Sequence, residues 1–172
     1  NLVSMANNHA LDFGPEGLKE CLHNLDLANI DHAGAGDTLA EAHELASHEV
    51  QGQKTKFGLL SYMRYWTAKY RSKDPGAPSL ATINPAVILV ARNGQAEAVE
   101  GPLESDVKAM EDDILLARRR TDVLMVALHN HDVTHHRAYG IQDRTPPNDE
   151  IMFHRAIDAG ADMVLGTGPH VL

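Results

Sequence analysis

Residues 122–129 read DVLMVALH, a run of six apolar side chains that follows Asp122 and leads directly into His129. A short, continuous apolar run of this kind is typical of a strand that is buried on both faces. The segment before it has helical spacing after Ser105, which can cap a helix. The apolar positions of that helix are Val107, Met110, Ile114 and Ala117. A helix followed by a buried strand predicts a layered α/β fold with parallel neighbouring strands.

The same units recur on both sides of this segment. Downstream, the sequence predicts a helix over residues 146–159 that Gly160 ends, followed by a last buried strand over residues 163–165. Upstream, it predicts a strand over residues 2–5 and an amphipathic helix over residues 15–29. The alternation of helices and strands indicates a sheet covered by helices.

Shorter elements are predicted between these units. The pattern is lost over residues 63–85, where Tyr62, Arg64, Tyr65 and Trp66 either wall a pocket or pin a surface excursion. The remaining predictions are a tight loop at residues 34–36, a short helix over residues 39–43 capped by Asp37 or Thr38, a hairpin of residues 45–50 and 54–62, and a strand over residues 87–91 that ends at Asn93-Gly94.

The composition of the 172 residues favours a single domain over residues 1–172, since 43% are hydrophobic and no apolar run reaches the roughly 20 residues of a membrane-spanning helix. A net charge of -9 argues against a nucleic-acid partner, because phosphate contacts need clustered Lys and Arg. Cys21 is the only cysteine, which excludes an intramolecular disulfide, and we expect it in the core. Because the chain opens without an initiator Met, we expect a fragment.

Polar residues follow three of the predicted strands at their carboxyl ends, where loops of an α/β sheet converge on ligands. They are Asn8 and His9 after the first strand, His129, His131 and Asp132 after the second, and His170 after the last. One histidine at a strand end is more often structural than functional. Three at equivalent positions predict a site.

Imidazole, amide and carboxylate donors without thiolates suit a borderline divalent ion such as Mn, Fe, Zn or Ni in an open site. Such an ion serves hydrolysis, with a neighbouring His or Asp as the proton donor. The position of His131 leaves two readings. If the strand continued past His129, strand alternation would point His131 to the opposite face; if the strand ends there, His131 could join the site. His135 and His136 are as consistent with a solvated loop as with ligands.

Several segments together resemble the CapA family of poly-γ-glutamate biosynthesis proteins, which belongs to the calcineurin-like metallophosphatase superfamily. They are residues 3–14 (VSMANNHALDFG), 33–36 (AGAG), 127–129 (ALH), 156–166 (AIDAGADMVLG) and 168–172 (GPHVL). The resemblance implies two facing sheets flanked by helices and a two-metal site at the strand ends.

By position, this resemblance implies that Asn8, His129 and His170 bind metal and that His9 acts on the substrate oxyanion or leaving group. Asp132 stands near a position that is often acidic in the family. The resemblance also places the family's first strands, with their Asp and His ligands, before Asn1. The family usually has a His where Thr167 or Gly168 stands.

Two hypotheses from different classes follow. In the first, the chain is a hydrolase with one or two divalent ions that cleaves an amide or phosphoester bond in a small or anionic polymeric substrate such as poly-γ-glutamate. A local positive site of the metal, Arg64 and Arg137 would offset the chain's net charge of -9. Here His131, His135, His136 or a partner chain supplies the missing ligands. In the second, it is a noncatalytic polymer-binding or assembly component. The family implies the bacterial cell envelope or the exterior, and self-association would cover an exposed sheet edge.

Overall fold

A computed structural model of the protein describes residues 1–50, 52, 54–64, 76–92, 94–130 and 147–168. These residues form a mixed α/β fold. Its four described helices are α1 (Gly14–Leu27), α2 (Leu39–Ala42), α3 (Glu104–Ala117) and α4 (Pro147–Asp158). Its described strands are β1 (Leu2–Ser4), β2 (Asp31–Ala33), β3 (Ala35–Gly36), β4 (Ala46–Glu49), β5 (Lys56–Arg64), β6 (Ser79–Leu80), β7 (Thr82–Ile83), β8 (Pro85–Arg92), β9 (Gln95–Pro102), β10 (Val123–Asn130) and β11 (Met163–Thr167).

A central sheet is built around β10, the strand of the opening sequence run. The strand order is β11-β10-β5-β4, and β7 adds to the end of β5. Strand β10 is parallel to both of its neighbours, whereas β4 and β5 form an antiparallel hairpin. The predicted parallel neighbours and the predicted hairpin are therefore confirmed.

One face of the central sheet packs against α3 and α4. Alternate residues of β10, Leu124, Val126 and Leu128, are buried in one apolar cluster with residues of both helices. The helical members of the cluster are Val107, Met110, Ile114, Ala117, Met152 and Ala156. Helix α3 thus buries all four apolar positions that its sequence spacing predicted.

The opposite face of the sheet receives the parallel pair β1–β2. Ala127 and Leu59 of the central sheet form a cluster with Ala33 of β2, and the hydroxyls of Ser4 and Ser61 are hydrogen-bonded at 2.7 Å. Helix α1 contacts β2 and β3. The layers therefore follow the predicted order of helix, sheet, sheet and helix.

Some local predictions are wrong. The tight loop expected at residues 34–36 contains strand β3, because Gly34 has a φ of +94° and turns the chain beneath Ser61. Ser105 lies inside α3, whose N-cap is Leu103, so it is not the cap. Cys21 is exposed, since it lies beside Leu22 on α1, off the buried stripe.

Strand β11 is also less buried than its sequence predicts. Met163 and Leu165 are 49% and 39% exposed. Both side chains lie on the face of the central sheet that packs against β1–β2. That pair, however, lies over β4 and β5. Only the other face of β11 packs against the core, where Val164 contacts the cluster beneath the helices.

Other predictions are confirmed. Thr38 caps α2 by accepting a hydrogen bond from the Glu41 amide, and Gly94 makes the turn of the β8–β9 hairpin with a φ of +77°. No helix in the described ranges is long and apolar enough to cross a membrane.

Tyr62 links β5 to α3 beneath the helical layer and does not wall a pocket. Its side chain is 1% exposed, and its hydroxyl donates to Asp113 Oδ2 at 2.8 Å. The same carboxylate oxygen accepts from His43 Nδ1 at 2.7 Å. Burial, and secondarily the Asp113 carboxylate, raises the pKa of Tyr62 well above its ordinary value of 10.0.

We expect Tyr62→Phe to lower the free energy of unfolding by about 1 kcal/mol near pH 8, because one buried hydrogen bond is lost. A phenol with a raised folded pKa stabilises the fold fully below the unfolded pKa, and this contribution is lost as pH rises from there towards the folded pKa. The deficit of the variant should therefore shrink above pH 10. Urea denaturation across pH 8–11 measures it.

The control for this test is Thr121→Val, which removes a hydroxyl that donates to the Ala117 carbonyl at 3.1 Å and does not titrate in this range. Its deficit should stay constant with pH. A Tyr62→Phe deficit that is equally constant would contradict the role assigned to the buried phenol.

Candidate functional site

His129 and Asn8 meet where the two sheets face each other. Register on the central sheet places His129 beside Met63 and on the same face as Ala127, which is the face towards β1–β2. Asn8 follows β1 in the loop before α1. His129 Nε2 lies 2.9 Å from Asn8 Oδ1, although 121 positions separate the two residues in sequence.

The loop that carries Asn8 is shaped by its own side chains. The Asn7 amide donates to the Met5 carbonyl at 3.2 Å, and Asn7 Oδ1 accepts from the His9 backbone N–H at 2.9 Å. This is the local turn that asparagine favours. The turn places Asn8 and His9 next to each other where the two sheets face each other.

His9 is paired with Asp12 in the same turn. Its Nδ1 lies 2.8 Å from Asp12 Oδ2, and its Nε2 lies 3.3 Å from Asn8 Nδ2. A carboxylate accepts only, so Nδ1 carries a proton, and in the neutral ring Nε2 accepts from the Asn8 amide. Asp12 orients the imidazole of His9, and because this side chain is 72% exposed, the ring is accessible to solvent.

Thr167 contacts the other nitrogen of His129. The two residues are direct partners in the parallel ladder of β10 and β11, and Thr167 Oγ1 lies 3.1 Å from His129 Nδ1. Both ring nitrogens of His129 therefore have a hydrogen-bond partner in the described residues.

A buried charged network lies behind the site, on the helical face of the central sheet. Arg64, at the end of β5, donates to Asp149 at 3.1 Å and to Glu100 at 2.6 Å. Asn130, at the end of β10, donates to the second oxygen of Asp149. Asp149 is 1% exposed and lies in the first turn of α4. The network ties the residue after His129 to β5, β9 and α4.

Gly168 lets the chain pass closely over the end of β10. Its φ is +105°, and a Cβ at this position would overlap the carbonyl oxygen of Asn130. Glycine meets both requirements, because it lacks a Cβ and adopts positive φ without strain. The backbone of Gly168 thereby lies against the strand end that carries His129.

The structure brings together three of the six predicted site residues: Asn8, His9 and His129. The other three, His131, Asp132 and His170, lie outside the described residues, as do Tyr65, Trp66, His135, His136 and Arg137. Arg64 is 5% exposed and paired with two carboxylates. The positive charge of Arg64 is therefore balanced within this network.

Two contact residues were missed by the sequence analysis. Asp12 stands three positions after His9, a spacing that allows a contact within one turn. Thr167 ends β11 at the position that pairs with His129. The spacing of Asp12 is visible in the sequence, whereas the contact of Thr167 depends on the register of two strands that 38 positions separate.

Asn8 Oδ1 and His129 Nε2, which face each other, are an amide oxygen and an imidazole nitrogen. Both are atom types that a borderline divalent ion takes as ligands. They would be two of its ligands. Among the described residues, no group of three or more His, Cys, Asp or Glu side chains is arranged to bind a metal.

Amide and imidazole groups at strand ends, between two facing sheets flanked by helices, are consistent with a metallophosphatase-like α/β protein. The chain belongs to a family of bacterial capsule synthesis proteins: residues 1–172 match the family described as "Bacterial capsule synthesis protein PGA_cap".

Curated relatives agree with this family. The chain is 26% identical to "PGA biosynthesis protein CapA" of Bacillus subtilis, with 99% of this chain and 37% of that protein covered. It is 24% identical to "Capsule biosynthesis protein CapA" of Bacillus anthracis, with 99% and 35% covered. It is 29% identical to "Probable polyglutamine synthesis accessory protein" of Mycobacterium tuberculosis, with 99% and 39% covered. The chain thus spans less than two fifths of the length of these relatives.

We expect Asp149→Asn to lower the free energy of unfolding by about 3 kcal/mol, because it removes the charged partner of Arg64 from a buried ion pair. Urea denaturation at pH 7 measures the loss. The single amide oxygen of the variant cannot accept from both Arg64 and Asn130 in the way that the two carboxylate oxygens do. The strand end beside His129 should therefore loosen, seen as faster amide exchange at Asn130.

Asp112→Asn is the matched control, because Asp112 pairs with Lys108 on the surface and both side chains are more than half exposed. Its cost should stay below about 1 kcal/mol. Equal losses for the two substitutions would show that the buried network does not hold the end of the sheet.

Proposed function

We propose that this protein is a metal-dependent hydrolase that acts on an amide or phosphoester bond. The observation that carries the proposal is the 2.9 Å contact between Asn8 Oδ1 and His129 Nε2. It joins two loops that are distant in sequence, at the strand ends where α/β proteins bind ligands. Asn8 and His129 would hold the ion, with His170 and His131 as further ligands.

A bound Mn, Fe, Zn or Ni ion supplies Lewis acidity, which lowers the pKa of water to about 7 and polarises the bond to be cleaved. The chain's own residues supply orientation and protons. Asp12 fixes the ring of His9 through Nδ1, so that Nε2 is directed towards Asn8. In its doubly protonated form His9 would deliver the Nε2 proton to the leaving group, or it would stabilise the developing charge, and Asp132 would assist.

The substrate we propose is a small or polymeric anion such as poly-γ-glutamate. The names of the relatives, which refer to capsule and PGA biosynthesis, support this choice. With a net charge of -9, and with Arg64 neutralised by Asp149 and Glu100, the attraction for an anion would come from the bound cation. Binding of polymer should therefore depend on metal.

The second candidate is a noncatalytic component that binds or assembles the capsule polymer. It is favoured by Thr167 and Gly168, which stand where the resemblance predicts a histidine. Polymer binding that is unchanged in metal-free protein, without turnover, would favour this candidate over the enzyme.

We expect Asn8→Ala and His129→Ala to weaken the binding of Mn²⁺ or Zn²⁺ by at least about tenfold, because each removes a ligand atom. Calorimetry of the metal-free protein measures binding, and circular dichroism checks that each variant is folded. Turnover of poly-γ-glutamate and of a generic phosphodiester, with each metal, identifies the bond that is cleaved.

His23→Ala serves as the control, since His23 is exposed on α1 and is remote from this contact. It should bind metal like the wild type. If Asn8→Ala and His129→Ala both retained wild-type affinity and turnover, the proposed site would be wrong.

A further inference from the structure

Thr167 and His129 form a side-chain pair that the proposed function has not used. Thr167 is the last residue of β11 and the register partner of His129, and its hydroxyl lies 3.1 Å from His129 Nδ1. The backbone ladder therefore fixes where this hydroxyl stands. A hydroxyl differs from most partners of histidine because it both donates and accepts a hydrogen bond.

The orientation of the Asn8 amide decides the proton positions on His129. His9 Nδ1 donates to Asp12, so in the neutral ring Nε2 accepts, and its partner is Asn8 Nδ2. Asn8 Oδ1 therefore faces His129. Because Oδ1 only accepts, its 2.9 Å contact requires a proton on His129 Nε2, and in the neutral ring Thr167 then donates to Nδ1.

Metal binding through His129 Nε2 requires the other tautomer. The Nε2 lone pair must be free of a proton to bind the ion, so the proton of the neutral ring moves to Nδ1. Nδ1–H then needs an acceptor. The Thr167 hydroxyl can turn its hydrogen away and accept from Nδ1–H at the same place. Neither a carboxylate nor an amide N–H could serve both tautomers in this position.

We infer that Thr167 is a positioning residue that reverses its hydrogen-bond direction when His129 becomes a metal ligand. In metal-free protein it donates to Nδ1 and holds the ring against Asn8. With metal it accepts from Nδ1–H and keeps Nε2 directed at the ion. This inference rests on the proposed metal site.

The test compares Thr167→Val, which keeps the branched shape and removes the hydroxyl, with Thr167→Ser, which keeps the hydroxyl. We expect Thr167→Val to weaken Zn²⁺ binding by about 10–100-fold, in the range of lost partners of metal-binding histidines. Thr167→Ser should stay within about threefold of the wild type. Thr121→Val, a threonine of the α3–β10 turn, controls for loss of a hydroxyl elsewhere.

A second measurement needs no metal. The ¹⁵N resonances of His129 in metal-free wild type should show a proton on Nε2 and a hydrogen-bonded Nδ1, and Nδ1 should lose this signature in Thr167→Val but not in Thr167→Ser. On adding Zn²⁺ to the wild type, the proton should appear on Nδ1.

The inference is overturned if Thr167→Val leaves both the Zn²⁺ affinity and the Nδ1 resonance unchanged, or if Thr167→Ser is as impaired as Thr167→Val. Wild-type protein that bound no Zn²⁺ would instead refute the proposed function. The metal-free resonances would still show whether Thr167 positions the ring.

Discussion

Two-residue alternation along β10 governs both the core and the site. Because neighbouring side chains of a strand point to opposite faces, Leu124, Val126 and Leu128 enter the helical core while Ala127 and His129 face the second sheet. A register shift of one residue would exchange the two sets and place an imidazole in the apolar cluster. The parallel pairing with β5 over eight positions prevents such a shift. The polar contact with Asn8 therefore depends on apolar packing on the other side of the sheet.

The same strand end is held from both faces by different chemistry. On the helical face, Asn130 joins the buried charges of Arg64 and Asp149. On the other face, His129 contacts the amide of Asn8 and the hydroxyl of Thr167. A buried ion pair is costly to desolvate but rigid once its partners are in place. We interpret the charged network as a rigid support for the strand end. The hydrogen bonds of His129 on the other face can change direction.

Much of the fold could be predicted because its long elements carry local signals. Helix α3 shows its buried stripe in its spacing, and α4 is bounded by Pro147 and Gly160. Strands β3, β6 and β7 have only two residues each, too few for a periodic pattern, so tertiary pairing alone defines them. The exposure of β11 depends on how far the β1–β2 pair extends over the central sheet, and the sequence of β11 itself does not indicate this.

For the candidate site, the strand-end rule anticipated that Asn8, His9 and His129 would lie close together, whereas the pairing of Arg64 with Asp149 and the contact of Thr167 depend on rotamers and register. The separation of 121 positions between Asn8 and His129 also has a kinetic meaning. Contacts this remote in sequence close late, after the entropy of a long loop has been overcome. The Asn8–His129 contact thus reports that the two sheets have come together, and a nascent chain would lack it until β10 had emerged.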